Sequence, residues 1–157
     1  MKKNKINIFL ILFFSIFISP AAGLGDTKFF LGKISVEDLL KEYPVFSKTP
    51  KLKISNTEYV IDNDIKVLVF FGTWCHDSKR EIPKLLKILQ NYGLSEDNLD
   101  LIAVGPDKND PMNKAAEYNL IYTPTIIFLK NFKEVGRIIE KPKKTLEIDM
   151  MEILSLQ

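Results

Sequence analysis

The fold of this chain is decided by residues 66–83, which read KVLVFFGTWCHDSKREIP. Lys66 to Phe71 is an apolar run rich in β-branched and aromatic residues, and such a run predicts a strand buried on both faces. Ser78 to Tyr92 is amphipathic with helical spacing, so it predicts a helix that begins a few residues after the strand. The apolar face of that helix carries Ile82, Leu85, Leu86 and Leu89, and the polar face carries Lys79, Lys84 and Lys87. Pro83 lies inside the helix and is expected to kink it.

The other predicted elements give the order of the fold. Before the strand and helix described above, we predict a short helix over Ser35–Tyr43 and a loop with one or two short outer strands over residues 44–64. After them, we predict a strand over Asp100–Val104 and a short helix over Pro111–Tyr118 capped by Asp110. Two strands over Thr125–Leu129 and Glu134–Ile139, joined by a tight turn, and a helix from about Lys143 to Leu154 complete the chain. Alternation of strand and helix in the first half favours parallel pairing, and the short turn between the last two strands favours a hairpin. We therefore predict an α/β fold with a mixed central sheet and helices on both faces.

The N-terminus has the pattern of an export signal. Three of the first five residues are lysine, the apolar run Ile6–Ile18 follows, and small residues at 19–23 offer a cleavage site. The apolar run is shorter than the about 20 residues that span a bilayer as a helix. We therefore expect residues 1–25 to be a cleaved signal peptide and the protein to be exported, to the periplasm or another extracytoplasmic compartment. The alternative is an uncleaved N-terminal anchor, and only then would the protein be held at a membrane.

The charge balance excludes one class of function. The chain has 157 residues, of which 22 are basic and 20 acidic, with a formal net charge of +2. Without the three N-terminal lysines, 19 basic residues face 20 acidic ones. A nucleic-acid-binding protein presents a basic face, which this balance does not supply, so we expect no nucleic-acid partner. At this length one compact domain is expected.

The single cysteine, Cys75, is the candidate reactive group. It falls where the predicted strand meets the helix, and there free N–H groups and the helix dipole favour a thiolate over a thiol. Ser78 could direct its hydroxyl and N–H at the sulfur, a protonated His76 would favour the thiolate further, and Trp74 would offer a docking peptide an apolar shelf. The alternative is a small buried hydrophobic cysteine. One cysteine with one histidine is too few ligands for a zinc site, so we expect no metal and no cofactor.

Three segments of the chain resemble the thioredoxin superfamily. They are Val67–Pro83, similar to the active-site strand and helix; Tyr122-Thr123-Pro124-Thr125 followed by IIFLK, similar to the loop with the family's cis-proline; and Asn131–Arg137, similar to the hairpin that follows. Residues 79–83, Lys-Arg-Glu-Ile-Pro, most resemble exported or membrane-tethered reductases of the TlpA/ResA type. The resemblance implies the thioredoxin-like three-layer α/β/α fold. It divides the chain into the signal or anchor of residues 1–25, an N-terminal extension over 26–64 and a thioredoxin-like domain over 65–157.

The resemblance also implies roles for particular positions. Cys75 matches the nucleophilic cysteine, and Pro124 matches the cis-proline that lies against the thiol. Thr123 matches the residue before that proline, which tunes the thiol and offers its backbone to an extended substrate. Pro83 matches the proline that kinks the active-site helix. Glu81 matches an acidic residue near the thiol in the TlpA/ResA type, and the alternative is a solvated helix glutamate.

Two positions depart from the family's pattern. Ser78 stands where the family has its second cysteine, which makes the site CxxS, so this chain cannot release a mixed disulfide by itself. Val69 stands where thioredoxins carry the buried acid that assists that cysteine. The dithiol reductase cycle is therefore excluded.

Two functions stay open. In the first, the protein is an exported monothiol thiol–disulfide oxidoreductase or isomerase-like enzyme that works through a mixed disulfide on Cys75. Its partners would be exported proteins with thiols or disulfides, a small thiol such as glutathione, or a redox partner protein. In the second, it is a non-catalytic binding module whose groove, formed by Trp74, Thr123 and Pro124, holds an extended peptide by main-chain hydrogen bonds. A Cys75→Ser variant would lose activity under the first and keep partner binding under the second.

Overall fold

The described part of the chain forms five strands and four α-helices. The structure is a computed structural model, and it describes residues 29–48, 51–54 and 59–155. In chain order the elements are β1 (Gly32–Ile34), α1 (Val36–Glu42), a 3-10 helix (Pro44–Ser47), β2 (Ile65–Phe71), α2 (His76–Asn91), a second 3-10 helix (Glu96–Asn98), β3 (Leu99–Ala103), α3 (Lys114–Glu117), β4 (Thr125–Lys130), β5 (Lys133–Ile139) and α4 (Leu146–Ser155). Within those ranges no helix is long and apolar enough to cross a membrane. The predicted signal over residues 1–25 lies outside the described residues.

The strands form one sheet in the order β1-β3-β2-β4-β5. β2 and β3 are parallel, whereas β1 pairs antiparallel with β3, β4 with β2, and β5 with β4. The predicted α/β fold with a mixed central sheet is therefore confirmed, including the parallel crossover through α2 and the final hairpin. Because β2 is the central strand and is covered on both faces, its sequence is apolar almost throughout.

Successive side chains of the strands point to opposite faces of the sheet and build two cores. The larger core lies under α1, α2 and α4, and β2 contributes Val67, Val69 and Phe71 to it. The smaller core is covered by α3, and β2 contributes Leu68 and Phe70 to it. Helices therefore cover both faces of the sheet, which gives the three-layer α/β/α fold that the resemblance implies.

The N-terminal extension differs from its prediction at two points. No strand forms in the described residues 51–54 and 59–64, where the sequence predicts one or two outer strands. Instead, Pro44 ends α1 and starts a 3-10 helix that buries Phe46 in the larger core. The other difference is β1, whose three residues are too few for a sequence pattern and are fixed by pairing with β3. The described part of the extension thus belongs to the same sheet and core as the rest of the chain.

The helix predicted from residue 111 is shorter in the structure. The Asp110 carboxylate accepts the backbone N–H of Ala115 at 2.7 Å, but Asp110 is not the N-cap that the sequence predicts. The N-cap is Asn113, whose left-handed φ of 57° interrupts the first turn, so α3 begins at Lys114. The other predicted helices and strands form within about three residues of their predicted bounds.

Candidate active site

Cys75 lies at the carboxyl end of the central strand and at the N-cap of α2. β2 ends at Phe71, and Cys75 closes the turn after it by donating its backbone N–H to the Gly72 carbonyl at 3.0 Å. Its extended backbone, with φ −77° and ψ 127°, lets its own carbonyl accept the N–H of Lys79 at 3.1 Å and start the helix. The residue is 8% exposed. The strand and helix thus place the thiol at the N-terminus of α2, as the sequence predicts.

The pKa of the Cys75 thiol lies below its ordinary value. Burial acts in the opposite direction, because it penalises the thiolate and raises the pKa. Hydrogen bonds from the side chains of Ser78 and Thr123, and from the backbone N–H groups of Ser78 and Asp77, outweigh burial because each one stabilises the thiolate. The environment therefore favours a nucleophilic sulfur.

Ser78 is fixed in position by the turn that follows β2. It is fully buried, and its Oγ accepts the backbone N–H of Gly72 at 3.1 Å. The hydroxyl hydrogen is then available for donation to the sulfur of Cys75. Ser78 therefore serves as a hydrogen-bond donor at the position where the family has its second thiol.

The loop before β4 brings Thr123 and Pro124 to the thiol from far along the chain. The Thr123–Pro124 peptide bond is cis, and both residues are buried. Cys75 Sγ donates to the Thr123 carbonyl at 3.2 Å. This carbonyl can accept a hydrogen bond only from the protonated thiol, so it opposes ionisation of Cys75. The Thr123 hydroxyl donates to the sulfur and favours the thiolate. Thr125 fixes the loop by donating its hydroxyl to the Tyr122 carbonyl at 2.8 Å.

Trp74 packs against the loop after β3. Its indole N–H donates to the Val104 carbonyl at 2.9 Å, and Phe29 packs edge-on against the ring at 6.5 Å between centroids. Lys108 Nζ lies 4.4 Å from the ring centroid, a cation–π distance. A Cβ on Gly72 would lie 2.6 Å from the ring, so the absence of a side chain there makes room for the indole. None of these contacts involves the cis-proline loop.

The two remaining predicted site residues lie on α2. His76 is exposed. Glu81 is 2% exposed, so the alternative of a solvated glutamate is wrong. Its carboxylate accepts Arg80 Nε at 2.6 Å and Lys84 Nζ at 3.1 Å, which neutralises the buried charge.

Two exposed apolar side chains beside the cis-proline loop were not predicted from the sequence. Ile121 is 67% and Tyr122 is 51% exposed, directly before the buried Thr123. Together they offer an apolar surface next to the thiol. No local pattern separates them from the buried apolar residues that follow in β4, so only the tertiary structure identifies them.

Metal ligands are not clustered in the described residues. No group of three or more histidine, cysteine, aspartate or glutamate side chains there is arranged to hold a metal ion. The partners that surround the Cys75 sulfur are instead hydroxyl, amide and carbonyl groups.

The chain is similar to several known thioredoxins. It is 34% identical over 92 residues to thioredoxin 2 of Plasmodium berghei, which covers 55% of this chain and 55% of that protein. It is 27% identical over 97 residues to a thioredoxin of Staphylococcus epidermidis, covering 61% of this chain and 88% of that one. The X-ray structure of Fasciola hepatica thioredoxin matches with a TM-score of 0.43 and 21% identity, over 76% of this chain and 88% of that chain. The matched region spans a little more than half the length of the Plasmodium proteins, 55% and 59%.

A family model also matches most of the chain. The model described as Thioredoxin covers residues 48–152 of this chain. That range contains β2, α2, the cis-proline loop, the β4–β5 hairpin and most of α4, which are the elements that surround or support Cys75. The chain belongs to the thioredoxin family.

Proposed function

We propose that this protein is an exported monothiol thiol–disulfide oxidoreductase, with isomerase-like chemistry, that acts through Cys75. The observation that carries the proposal is the set of hydrogen bonds from Ser78, Thr123 and backbone N–H groups that lowers the pKa of this thiol. Membership of the thioredoxin family supports thiol–disulfide exchange as the class of reaction. The finer similarity of residues 79–83 to the TlpA/ResA type belongs to the same proposal.

The first step is attack of the Cys75 thiolate on one sulfur of a substrate disulfide. A bond forms between Cys75 Sγ and that sulfur, the substrate S–S bond breaks, and the other substrate sulfur leaves as a thiolate with the electron pair of the broken bond. The step therefore needs no external oxidant or reductant. Its rate depends on how much of the thiol is ionised, which is what Ser78 and Thr123 control.

A second thiol must complete the cycle, because the chain has one cysteine and a serine at residue 78. When another thiolate of the same substrate attacks the substrate sulfur of the mixed disulfide, Cys75 leaves as a thiolate. The substrate disulfide has then been rearranged with no net oxidation. With glutathione, two thiols are consumed instead, and the products are a reduced substrate and one glutathione disulfide.

The proposed substrates are exported proteins with thiols or disulfides. The order of basic, apolar and small residues in positions 1–25 supports export, and disulfides persist in extracytoplasmic compartments. The exposed apolar side chains of Ile121 and Tyr122 would contact a substrate segment beside its disulfide. The reducing partner is a small thiol such as glutathione or a redox partner protein.

An isomerase assay tests the proposal. A protein with scrambled disulfides is incubated in a glutathione buffer, and recovery of its native activity is followed with and without this protein. We expect wild type to accelerate recovery, Cys75→Ser to abolish the acceleration and Ser78→Ala to reduce it several-fold. Ser155→Ala removes an exposed serine at the end of α4 and is the matched control. Recovery no faster than in the buffer alone would contradict catalysis.

A non-catalytic peptide-binding module is the second candidate function. It is favoured by the contrast between Cys75, which is mostly buried, and the exposed Ile121 and Tyr122 beside it. Under this alternative, an apolar peptide without cysteine binds wild type and Cys75→Ser equally well, and the scrambled substrate is not rearranged. Under the first proposal, mass spectrometry instead detects substrate adducts that require Cys75.

A further inference from the structure

The tip of the β4–β5 hairpin carries an aromatic side chain at its most exposed point. Asn131 and Phe132 are the two residues of the turn, between the paired Lys130 and Lys133. Phe132 is 88% exposed, the largest fraction among the exposed large hydrophobic residues described. Its φ is 65° and that of Asn131 is 50°.

Neither the exposure nor the backbone conformation of Phe132 stabilises the isolated chain. A hairpin turn with two positive φ angles strongly prefers glycine at its second position, because a Cβ is disfavoured there. A bulky aromatic residue at positive φ is uncommon, and an exposed phenyl ring gains no burial. The residue is therefore better explained by a contact with another molecule than by the stability of this chain.

A cavity with both apolar and polar lining residues lies between α1 and α2. It has a volume of about 600 Å³ and opens between α1, the first 3-10 helix and α2. Its apolar lining includes Val36, Leu40, Phe46, Leu86, Leu94 and Leu99. Two acidic residues, Glu37 and Glu96, and one cation, Lys87, also line it.

We propose that Phe132 of one molecule inserts into this cavity of a second copy of the chain. The lysines on either side of Phe132 then approach the acidic pair, Glu37 and Glu96, so the charges of the two surfaces are complementary. A single molecule does not make this contact with itself, since Phe132 is 88% exposed in it. The hairpin lies at the β5 edge of the sheet, whereas the cavity lies beside Leu99 at the start of β3 and below α1, towards the β1 edge.

The contact leaves the thiol accessible. Cys75 follows the carboxyl end of β2, while the hairpin tip lies beside the start of that strand, since Lys130 pairs with Ile65. Association through Phe132 is therefore independent of a Cys75 disulfide. A contact made by one aromatic side chain and its neighbours is smaller than a standard protein interface, so it is weak and depends on concentration.

Sedimentation of the full chain in a Cys75→Ser background tests this contact without disulfide dimers. The N-terminal segment is the same in every variant, so it does not contribute to the differences between them. We expect the average mass to rise with concentration, and Phe132→Gly to weaken association at least about tenfold. Phe132→Gly should also raise the thermal midpoint, since glycine relieves the positive φ. Met112→Ser, which removes another exposed apolar side chain, is the matched control and should associate like wild type.

Cross-linking tests the geometry of the contact directly. In the same background, a chain with Lys133→Cys is mixed with a chain carrying Glu96→Cys, and a short bismaleimide joins them. We expect a cross-linked dimer, and at least about tenfold less of it when Phe132→Gly is added to the first chain. Lys141→Cys in place of Glu96→Cys is the control at an exposed site away from the cavity. A monomeric wild type, or association and cross-linking that Phe132→Gly does not change, would overturn the proposal.

Discussion

At the scale of single residues, the reactivity of Cys75 is set by opposing effects of its neighbours. Burial and the Thr123 carbonyl favour the thiol, whereas hydroxyl and amide donors favour the thiolate. Ser78 is the donor that substitution can remove with the smallest change of volume, although the same change also removes the acceptor of the Gly72 N–H. The balance is therefore open to direct measurement.

We predict that Ser78→Ala raises the pKa of Cys75 and slows its reaction. Loss of a hydrogen bond to a thiolate costs about 1 kcal/mol, which lowers the acid dissociation constant of the thiol about fivefold. Alkylation of the single cysteine with iodoacetamide, followed against pH, gives the pKa of wild type and variant. Ser35→Ala, which alters an exposed helix cap distant from the site in sequence, should leave the alkylation profile unchanged. A wild-type pKa at or above the ordinary value of about 8.5 would contradict an activated nucleophile.

At the scale of elements, a partly buried carboxylate joins three strands across the sheet. Asp100 in β3 contacts Lys33 Nζ of β1 at 2.6 Å and Lys66 Nζ of β2 at 2.8 Å. Burial raises the pKa of Asp100, but the hydrogen bonds and charges of the two lysines outweigh it and leave the pKa below its ordinary value. The pairs therefore tie the short edge strand β1 to the centre of the sheet.

We predict that Asp100→Asn lowers the free energy of unfolding at neutral pH by about 1 kcal/mol, a modest value because Lys33 is largely exposed. The pKa is lower in the folded than in the unfolded protein, so the stabilisation is present above the unfolded pKa of about 3.9 and is lost as pH falls through the folded pKa. Urea unfolding between pH 7 and pH 2.5 measures it. The difference between wild type and variant should shrink on acidification, and a difference that does not depend on pH would rule out this ion pair as its source.

At the scale of the whole molecule, the N-terminal extension completes the domain. Ile34, Leu39 and Phe46 are buried in the larger core together with side chains of β2, α2 and α4. Each such side chain contributes about 1.5–3 kcal/mol on burial, against a total stability of about 5–15 kcal/mol for a typical domain. The segment that precedes the family match at residue 48 is therefore needed for the fold.

We predict that a chain beginning at Phe29 folds cooperatively and that a chain beginning at residue 48 does not. The shorter chain loses β1, α1 and Phe46, which uncovers one side of β3 and part of the larger core. Near-ultraviolet circular dichroism and urea unfolding distinguish the two chains. Equal unfolding midpoints for the two chains would mean that the core is complete without residues 29–47 and that these residues do not stabilise it.

Local sequence patterns were sufficient to predict the centre of the fold. β2 is a nearly continuous apolar run and α2 is amphipathic with a period of 3.6, and their junction places Cys75 without further information. β1 and the burial of Glu81 could not be predicted in this way. A three-residue strand has no period to detect, and whether a helical carboxylate is buried beside Arg80 and Lys84 depends on what packs over it.

The sequence by itself therefore determined the mixed α/β sheet, the position of the lone thiol at a helix N-terminus and the absence of a second thiol at Ser78. Each of these depends on residues that are neighbours along the chain. The resemblance implied that Thr123 and Pro124 lie at that thiol, but only the tertiary structure decided which of their atoms contact it. The Thr123 carbonyl lies 3.2 Å from Cys75 Sγ across a separation of 48 residues, and the indole of Trp74 is fixed by Val104 across 30 residues. Such contacts depend on the register of the sheet and the packing of its loops, which local sequence patterns do not encode.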